Sequence, residues 1–301
     1  MRICLGLAIM AAVAFGPAGI WLERAAWPVR APRAAIALWQ AVGMAGALAA
    51  VGAGLALAVS PLHWGLIPDT VQLLEGAARG RPLAVVGMDE AFGLTLAATV
   101  VAVLVVGMVL TAVRTVASRR HHRILLDLVA RRTELAPGAV LLDDPRAAAY
   151  CLPGVRSRIV VSAGTLSLLD DSELAAVLAH ERGHVHERHD LVLLPFASMI
   201  EMLEWMPYVR RAPGAVAALL EMAADDYAAR THRPRVLASA LIHMSGSGAV
   251  PTCAFAIATG PTSSRVRRLV APHRDSRLVA ALAVVSAVAL VALPAYVLAS
   301  W

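Results

Sequence analysis

The chain has 301 residues, of which 59% are hydrophobic and only 16% charged, and its mean hydropathy is +0.68. A soluble domain of this length carries more charge, so composition excludes the ordinary soluble class and points to an integral membrane protein. The net charge is +6 and every cationic side chain is an arginine, which excludes chemistry built on a lysine base or Schiff base. The arginines are dispersed and no DNA-reading motif accompanies them. They read as a cytoplasmic membrane face, and no direct nucleic-acid binding is expected.

Residues 3–22 form a nearly charge-free apolar run long enough to cross a bilayer. A cleaved signal peptide is the rival reading, with Arg2 as a minimal positive start. The length of the run, and the lack of a small-x-small site before Glu23, favour a retained helix. A second span is expected over 34–60, closed by Pro61, with Gly43, Gly46, Gly52 and Gly54 as packing surface. A polar loop over 62–91 precedes a third span over 92–113, which runs into Arg114 and the cluster Arg119-Arg120-His121-His122-Arg123. A fourth span over 278–298 leaves only Ala299-Ser300-Trp301 behind it.

Arginine bias orients these spans. The first loop holds three Arg against one Glu, and the second two Arg against four acids. With the N-terminus outside, all the positive regions fall on one side, which places 114–277 in the cytoplasm; Arg2 alone votes the other way. Within that segment a short helix is expected over 123–132. Strands are expected at 140–142, 147–152 and 157–162, with a turn at Pro153-Gly154. Asp170-Asp171-Ser172-Glu173 supplies the cap and first-turn acids of a helix. Residues 191–207 read as a membrane-associated or buried helix, 213–230 as a helix with Pro213 near its start, and 236–244 as another, ended by Ser245-Gly-Ser-Gly248. Cys4, Cys151 and Cys253 form neither a disulfide framework nor a C-x-x-C site, and read as small buried hydrophobes.

The helix after Asp170 contains Ala179-His180-Glu181-Arg182-Gly183-His184, an H-E-x-x-H pattern. Positions i and i+4 share a helix face, so His180 and His184 can bind one zinc ion, with Glu181 in reach of a water as general base. A catalytic zinc wants a third protein ligand. The position where a third histidine would follow holds Asp190, so the better candidate is Glu221. Asp225, one turn further on, would orient a ligating imidazole, and Asp226 is the second choice for that role. His186 and His189 sit off the His180/His184 face and read as solvated; His121 and His122 read as interfacial. The strand at 157–162 is a place for an extended substrate to add.

Tyr150-Cys-Leu-Pro-Gly154, Arg158-Ile-Val-Val-Ser162, the run Leu168 to His184 and Glu221-x-x-x-Asp225 together resemble the BlaR/MecR-type membrane metallopeptidases. That resemblance implies His180, His184 and Glu221 as zinc ligands and Glu181 as catalytic base. It also implies a bacterial inner-membrane protease that cuts a cytosolic repressor. The sequence stops just after the fourth span and has no S-x-x-K motif, so no extracellular penicillin-binding sensor is expected. HtpX-type quality-control peptidases share H-E-x-x-H and a later Glu-x-x-x-Asp.

The expected architecture is therefore a mainly α membrane protein of about four transmembrane helices. Three of them lie in 1–117, a cytoplasmic α+β gluzincin-like peptidase domain occupies 118–277, and the last helix occupies 278–301. The expected function is a membrane zinc endopeptidase with one catalytic ion, whose partners are the bilayer and a cytosolic protein, a repressor in a signalling response to antibiotic. The alternatives are an HtpX-like quality-control protease and a non-catalytic receptor or scaffold.

Overall fold

The computed structural model describes residues 2–59, 71, 75, 88–133, 139–154, 157–246, 262–271 and 277–299. Most of the polar loop at 62–91, Cys253, and the end of the Ser245–Gly248 turn lie outside them. Among the described residues, four helices are long and apolar enough to cross a membrane. They are α1 (Arg2–Arg24), α2 (Pro32–Ala58), α3 (Met88–Val129) and α10 (Arg277–Ala299). Pro17 lacks an N–H for the helical ladder, and α1 widens into a π-helical turn over Ala14–Ala18 around it.

Helix α2 is the centre of the bundle. Its apolar window is 61% buried, against 11–17% for the other three. Water-driven burial does not operate between helices in lipid, so close approach depends on small residues. A Cβ at Gly54 would lie 2.8 Å from the Gly93 carbonyl oxygen of α3, and one at Gly52 would lie 2.7 Å from Leu298 of α10. The glycines of α2 thus seat different neighbours on different sides.

Helix α3 does not stop at the membrane surface. It runs 42 residues, about 60 Å at 1.5 Å per residue, and carries the sequence directly into a four-stranded sheet. The strands are β1 (Ala130–Arg132), β2 (Ala139–Leu142), β3 (Ala149–Leu152) and β4 (Arg158–Ser162). The helix expected over 123–132 therefore gives way to a strand for its last three residues, which pair with β2. The sheet order is β1-β2-β4-β3. β2 and β4 are parallel, and the outer pairs are antiparallel.

This order corrects one expectation: β4, read above as the strand open to a substrate, is flanked on both sides, and β3 is the edge beside the motif helix. The alternation along β4 buries both faces. Ile159 and Val161 pack with Leu174, Val177 and Leu178 of the motif helix, and Val160 packs with Leu126 of α3.

Five further helices complete the described chain between the sheet and α10, after a short α4 (Ala163–Leu168): α5 (Asp171–His186), α6 (His189–Leu203), α7 (Pro207–Ala228), α8 (Pro234–Gly246) and α9 (Thr262–Val270). α7 starts at Pro207, six residues earlier than Pro213 suggests, because proline is favoured in the first turn and Pro213 is accommodated inside. That early start places Tyr208 within the membrane bundle. Tyr208 is fully buried, donates to the Trp39 carbonyl of α2 over 2.5 Å, and meets the Phe15 ring edge-on. Around it, Ala35, Ile36 and Val42 of α2 share one apolar cluster with Val209, Ala212 and Val216 of α7.

Since Gly54 and Gly93 bring α2 and α3 into backbone contact, Gly54→Leu is expected to weaken the folded protein by about 1–3 kcal/mol. Thermal unfolding in detergent checks this, with Gly6→Leu, where nothing lies within 4 Å, leaving the midpoint unchanged.

Candidate metal centre

The motif helix starts with a reciprocal cap. The Asp170 carboxylate accepts from the Glu173 N–H at 2.8 Å, and the Glu173 side chain accepts from the Asp170 N–H at 3.3 Å. Glu173 also receives Ser239 and His243 of α8, so the cap fastens α5 to the helix packed beside it. His243 is thereby occupied at the start of α5. With the helix start set, His180 and His184 project from one face two turns later, both buried.

Glycine at position 183 brings the second half of the site close. A Cβ there would stand 3.1 Å from the Cβ of Tyr227 and 3.3 Å from the Cα of Ala224. α5 and α7 cross at this point, and the crossing delivers Glu221 and Asp225 to the two histidines. His180 Nε2 is 3.1 Å from His184 Nε2 and 3.4 Å from Glu221 Oε2; His184 Nε2 is 3.4 Å from Glu221 Oε1. Among the described residues, His180, His184 and Glu221 are the group of buried side chains with ligand atoms drawn together tightly enough to hold a metal.

The edges of this triangle test the fit. Ligands about 2.0–2.1 Å from a tetrahedral ion stand roughly 3.3 Å apart. Edges of 3.1, 3.4 and 3.4 Å match that, and two imidazoles with a carboxylate form a donor set suited to such an ion. Asp225 stands behind: its Oδ1 is 3.0 Å from His180 Nδ1, close in distance although poorly aligned for a hydrogen bond. Asp226, the second choice, faces away, toward Arg268 and Arg33.

A residue that sequence reasoning missed completes the site. Arg265 of α9 donates to Asp225 from Nη2 at 2.6 Å and from Nε at 2.9 Å, while Nη1 lies 2.8 Å from Glu221 Oε2. In the sequence Arg265 belongs to the arginine-rich end of 114–277, one of the positive regions that orient the spans. A sharper signal was present: Arg265 and Arg268 are i and i+3 on an amphipathic helix, and they meet the consecutive acids Asp225 and Asp226.

His189 is the second omission. It is buried rather than solvated, with its Nδ1 2.8 Å from His184 Nδ1. Arg188, in the left-handed region at φ 51, turns the chain sharply between α5 and α6 and folds His189 back. For a residue with a side chain that conformation costs about 1–2 kcal/mol. His186 is exposed, as expected. His122 is not simply interfacial, because its Nε2 pairs with the Tyr150 hydroxyl of β3 at 2.9 Å.

Burial sets the electrostatics. It pushes His184 down to about 3, helped by the positive charges of His180, His189 and Arg265 and opposed by Glu221. Burial also acts to lower His180, but Asp225 and Glu221 outweigh it and hold that imidazole up at about 9. Glu221 and Asp225 would be raised by burial. Instead His180 and Arg265 hold Glu221 well below the usual carboxylate range, and Arg265 holds Asp225 at about 2. Glu181 has no such partner on its carboxylate. Burial, with the Glu221 charge, raises it to about 7, opposed by the charges of His180 and Arg265 and by the backbone N–H of Cys151 in β3.

Fold and site together describe a multi-helix membrane protein with a buried His-His-Glu group that could hold a metal, two histidines from the H-E-x-x-H helix and a glutamate from α7. Residues 115–213 match the family described as Peptidase family M48. That segment contains His180, Glu181 and His184 and ends before Glu221. Over 72 residues the chain is 40% identical to a protein named "Protease HtpX homolog" from Aeropyrum pernix, a stretch covering 23% of this chain and 23% of that protein. The chain therefore aligns with less than a quarter of that relative's length. No solved structure matches. These matches support the M48 membrane metallopeptidase family, and neither of them is specific to the BlaR/MecR type.

Metal analysis of the purified protein is expected to give one equivalent per chain, lost in His180→Ala, His184→Ala and Glu221→Ala. Asp225→Asn is expected to retain the ion with about 10–100-fold lower affinity. Metal binding requires His180 to give up its proton. With that imidazole at about 9 in the metal-free protein, binding at pH 7 releases a proton. Apparent affinity then falls about tenfold for each unit of pH below that value. Calorimetry in buffers of different ionisation enthalpy measures the proton count.

Proposed function

We propose that the chain is a multi-pass membrane zinc endopeptidase of HtpX-like character, acting on proteins at the cytoplasmic surface of a bacterial inner membrane. The observation that carries this reading is the buried triangle of His180, His184 and Glu221 with Glu181 beside it. Bound zinc would supply a Lewis acid that polarises the peptide carbonyl and acidifies the attacking water.

The remaining chemistry belongs to the chain itself. Glu181 takes the proton from the water as its oxygen attacks the carbonyl carbon, and passes that proton to the leaving nitrogen as the C–N bond breaks. The products are a new carboxylate and a new amine. Burial raises the proton affinity of this carboxylate, which favours accepting a proton and then returning it. Edge strand β3 is the place for an extended substrate to pair: among the described residues it has a strand, β4, on one side only, and the Cys151 N–H reaches Glu181. A strand added there would run past the catalytic carboxylate.

Arginine bias supports the cytoplasmic placement. Two spans, α2 and α3, carry arginines that grip the site or its flanks: Arg33 of α2 binds Glu187, and on α3 Arg119 binds Asp190 at 2.9 Å and Arg114 binds Glu201. The similarity to a protein named "Protease HtpX homolog" supports the protease reading and is compatible with both the breakdown of many membrane-associated proteins and the cutting of one repressor.

Glu181→Gln is expected to lower the rate of casein cleavage by purified, zinc-loaded protein by at least about 10²-fold while leaving zinc stoichiometry intact. A wild-type rate in that variant would rule the mechanism out. Mapping new N-termini in cells with wild-type and Glu181→Gln protein separates the two roles: many cut membrane proteins support the quality-control reading, whereas one cut regulator supports repressor signalling.

A further inference from the structure

Of the two imidazoles in the metal triangle, only His180 has a carboxylate directly behind it. His184 has a second histidine there instead. The geometry points to His189 as the positioning residue of the metal centre, the middle member of a hydrogen-bond relay His184–His189–Glu187–Arg33 that ties a metal ligand to the first turn of membrane helix α2. The inference rests on the metal-site reading given above.

Hydrogen-bond bookkeeping sets the direction of the relay. His184 Nε2 faces His180 and Glu221, so its lone pair is the one available to a metal, and the ring proton of the neutral imidazole sits on Nδ1. That proton points at His189 Nδ1, 2.8 Å away, which must then accept. An accepting Nδ1 leaves the His189 proton on Nε2, and Nε2 faces Glu187 Oε2 at 3.4 Å. Glu187 in turn receives a fork from Arg33, with Nε at 3.0 Å from Oε2 and Nη2 at 2.5 Å from Oε1. Every donor in the series meets an acceptor, and reversing one bond would leave two protons or two lone pairs face to face.

The outer end is placed where it can report on the membrane bundle. Arg33 follows Pro32 at the start of α2, the helix at the bundle centre. Its Nη2 also donates to the Ala223 carbonyl of α7 at 2.9 Å, two residues past Glu221. One guanidinium thus touches both the helix that supplies the third ligand and the relay behind the second ligand. A cation at a helix N-terminus is opposed by the helix dipole, and the fork to Glu187 offsets that cost. The left-handed turn at Arg188 points the same way, since without it His189 would continue along α5 and away from His184.

The test uses full-length protein in detergent micelles and Zn2+ titrated against a fluorescent chelator. His189→Leu, which keeps volume and loses both bonds, is expected to weaken zinc affinity by about 10–100-fold. His189→Asn carries an oxygen where Nδ1 stood, and is expected to recover most of that loss. Arg33→Met and Glu187→Leu cut the relay outside the buried site, and each is expected to weaken affinity by at least about threefold. Because these two lie at the partly exposed end, they decide the matter if His189→Leu does not fold. The relay is overturned if His189→Leu, or both outer variants, bind zinc as the wild type does, or if Asn is as weak as Leu. Failure of the wild-type protein to bind zinc would instead overturn the metal-site reading, which keeps the two failures apart.

Discussion

Everything at this site depends on charges that have left water together. Two carboxylates one helical turn apart, Glu221 and Asp225, are buried in the face of α7. Alone they would repel each other and neither would ionise comfortably in a low-dielectric interior. Arg265 resolves this by bonding both, and His180 adds a second positive contact. The carboxylates stay ionised, which a metal ligand requires. Glu181, one residue from His180 but without a cation on its carboxylate, is left with its proton affinity raised. Arg265 bonds the two carboxylates that stay charged and reaches Glu181 only through its field, so burial still leaves that carboxylate's proton affinity raised.

The same helix joins chemistry to membrane. α7 has Tyr208 locked under α2 at its start and Glu221 thirteen residues later, about 20 Å along the axis. Its apolar face belongs to the same cluster as Trp39 and Val42. Packed interiors transmit displacement rather than absorb it, so the position of α2 bears on the third ligand through α7. The Arg33 contacts add a polar connection running beside the apolar one.

Legibility in the sequence followed the range of the interaction that left the trace. The spans at 34–60 and 92–113, the cap at Asp170–Glu173 and the shared face of His180 and His184 rest on contacts within a few residues, and they read directly. The strands over 139–162 also read, but their order did not. β2 and β4 pair in parallel across a crossover while β3, between them in sequence, goes to the edge. Alternation tells which side chains are buried, not which neighbour a strand has. His189 was misread because helical periodicity was carried past Glu187, where the left-handed Arg188 ends it. Arg265 escaped because its partners lie 40 residues away.

What the sequence by itself determined is the membrane class, the four apolar helices and the H-E-x-x-H face, since hydropathy and i,i+4 geometry are properties of a single segment. Glu221 and Asp225 could be nominated from their spacing, but only the tertiary structure set them 3.0–3.4 Å from the histidines. That depends on α7 crossing α5 at Gly183. The tertiary structure alone also decided that Arg265 neutralises the site and that His189 backs His184. Both are agreements between distant segments over where buried charge and buried protons can find partners, and no local pattern records them.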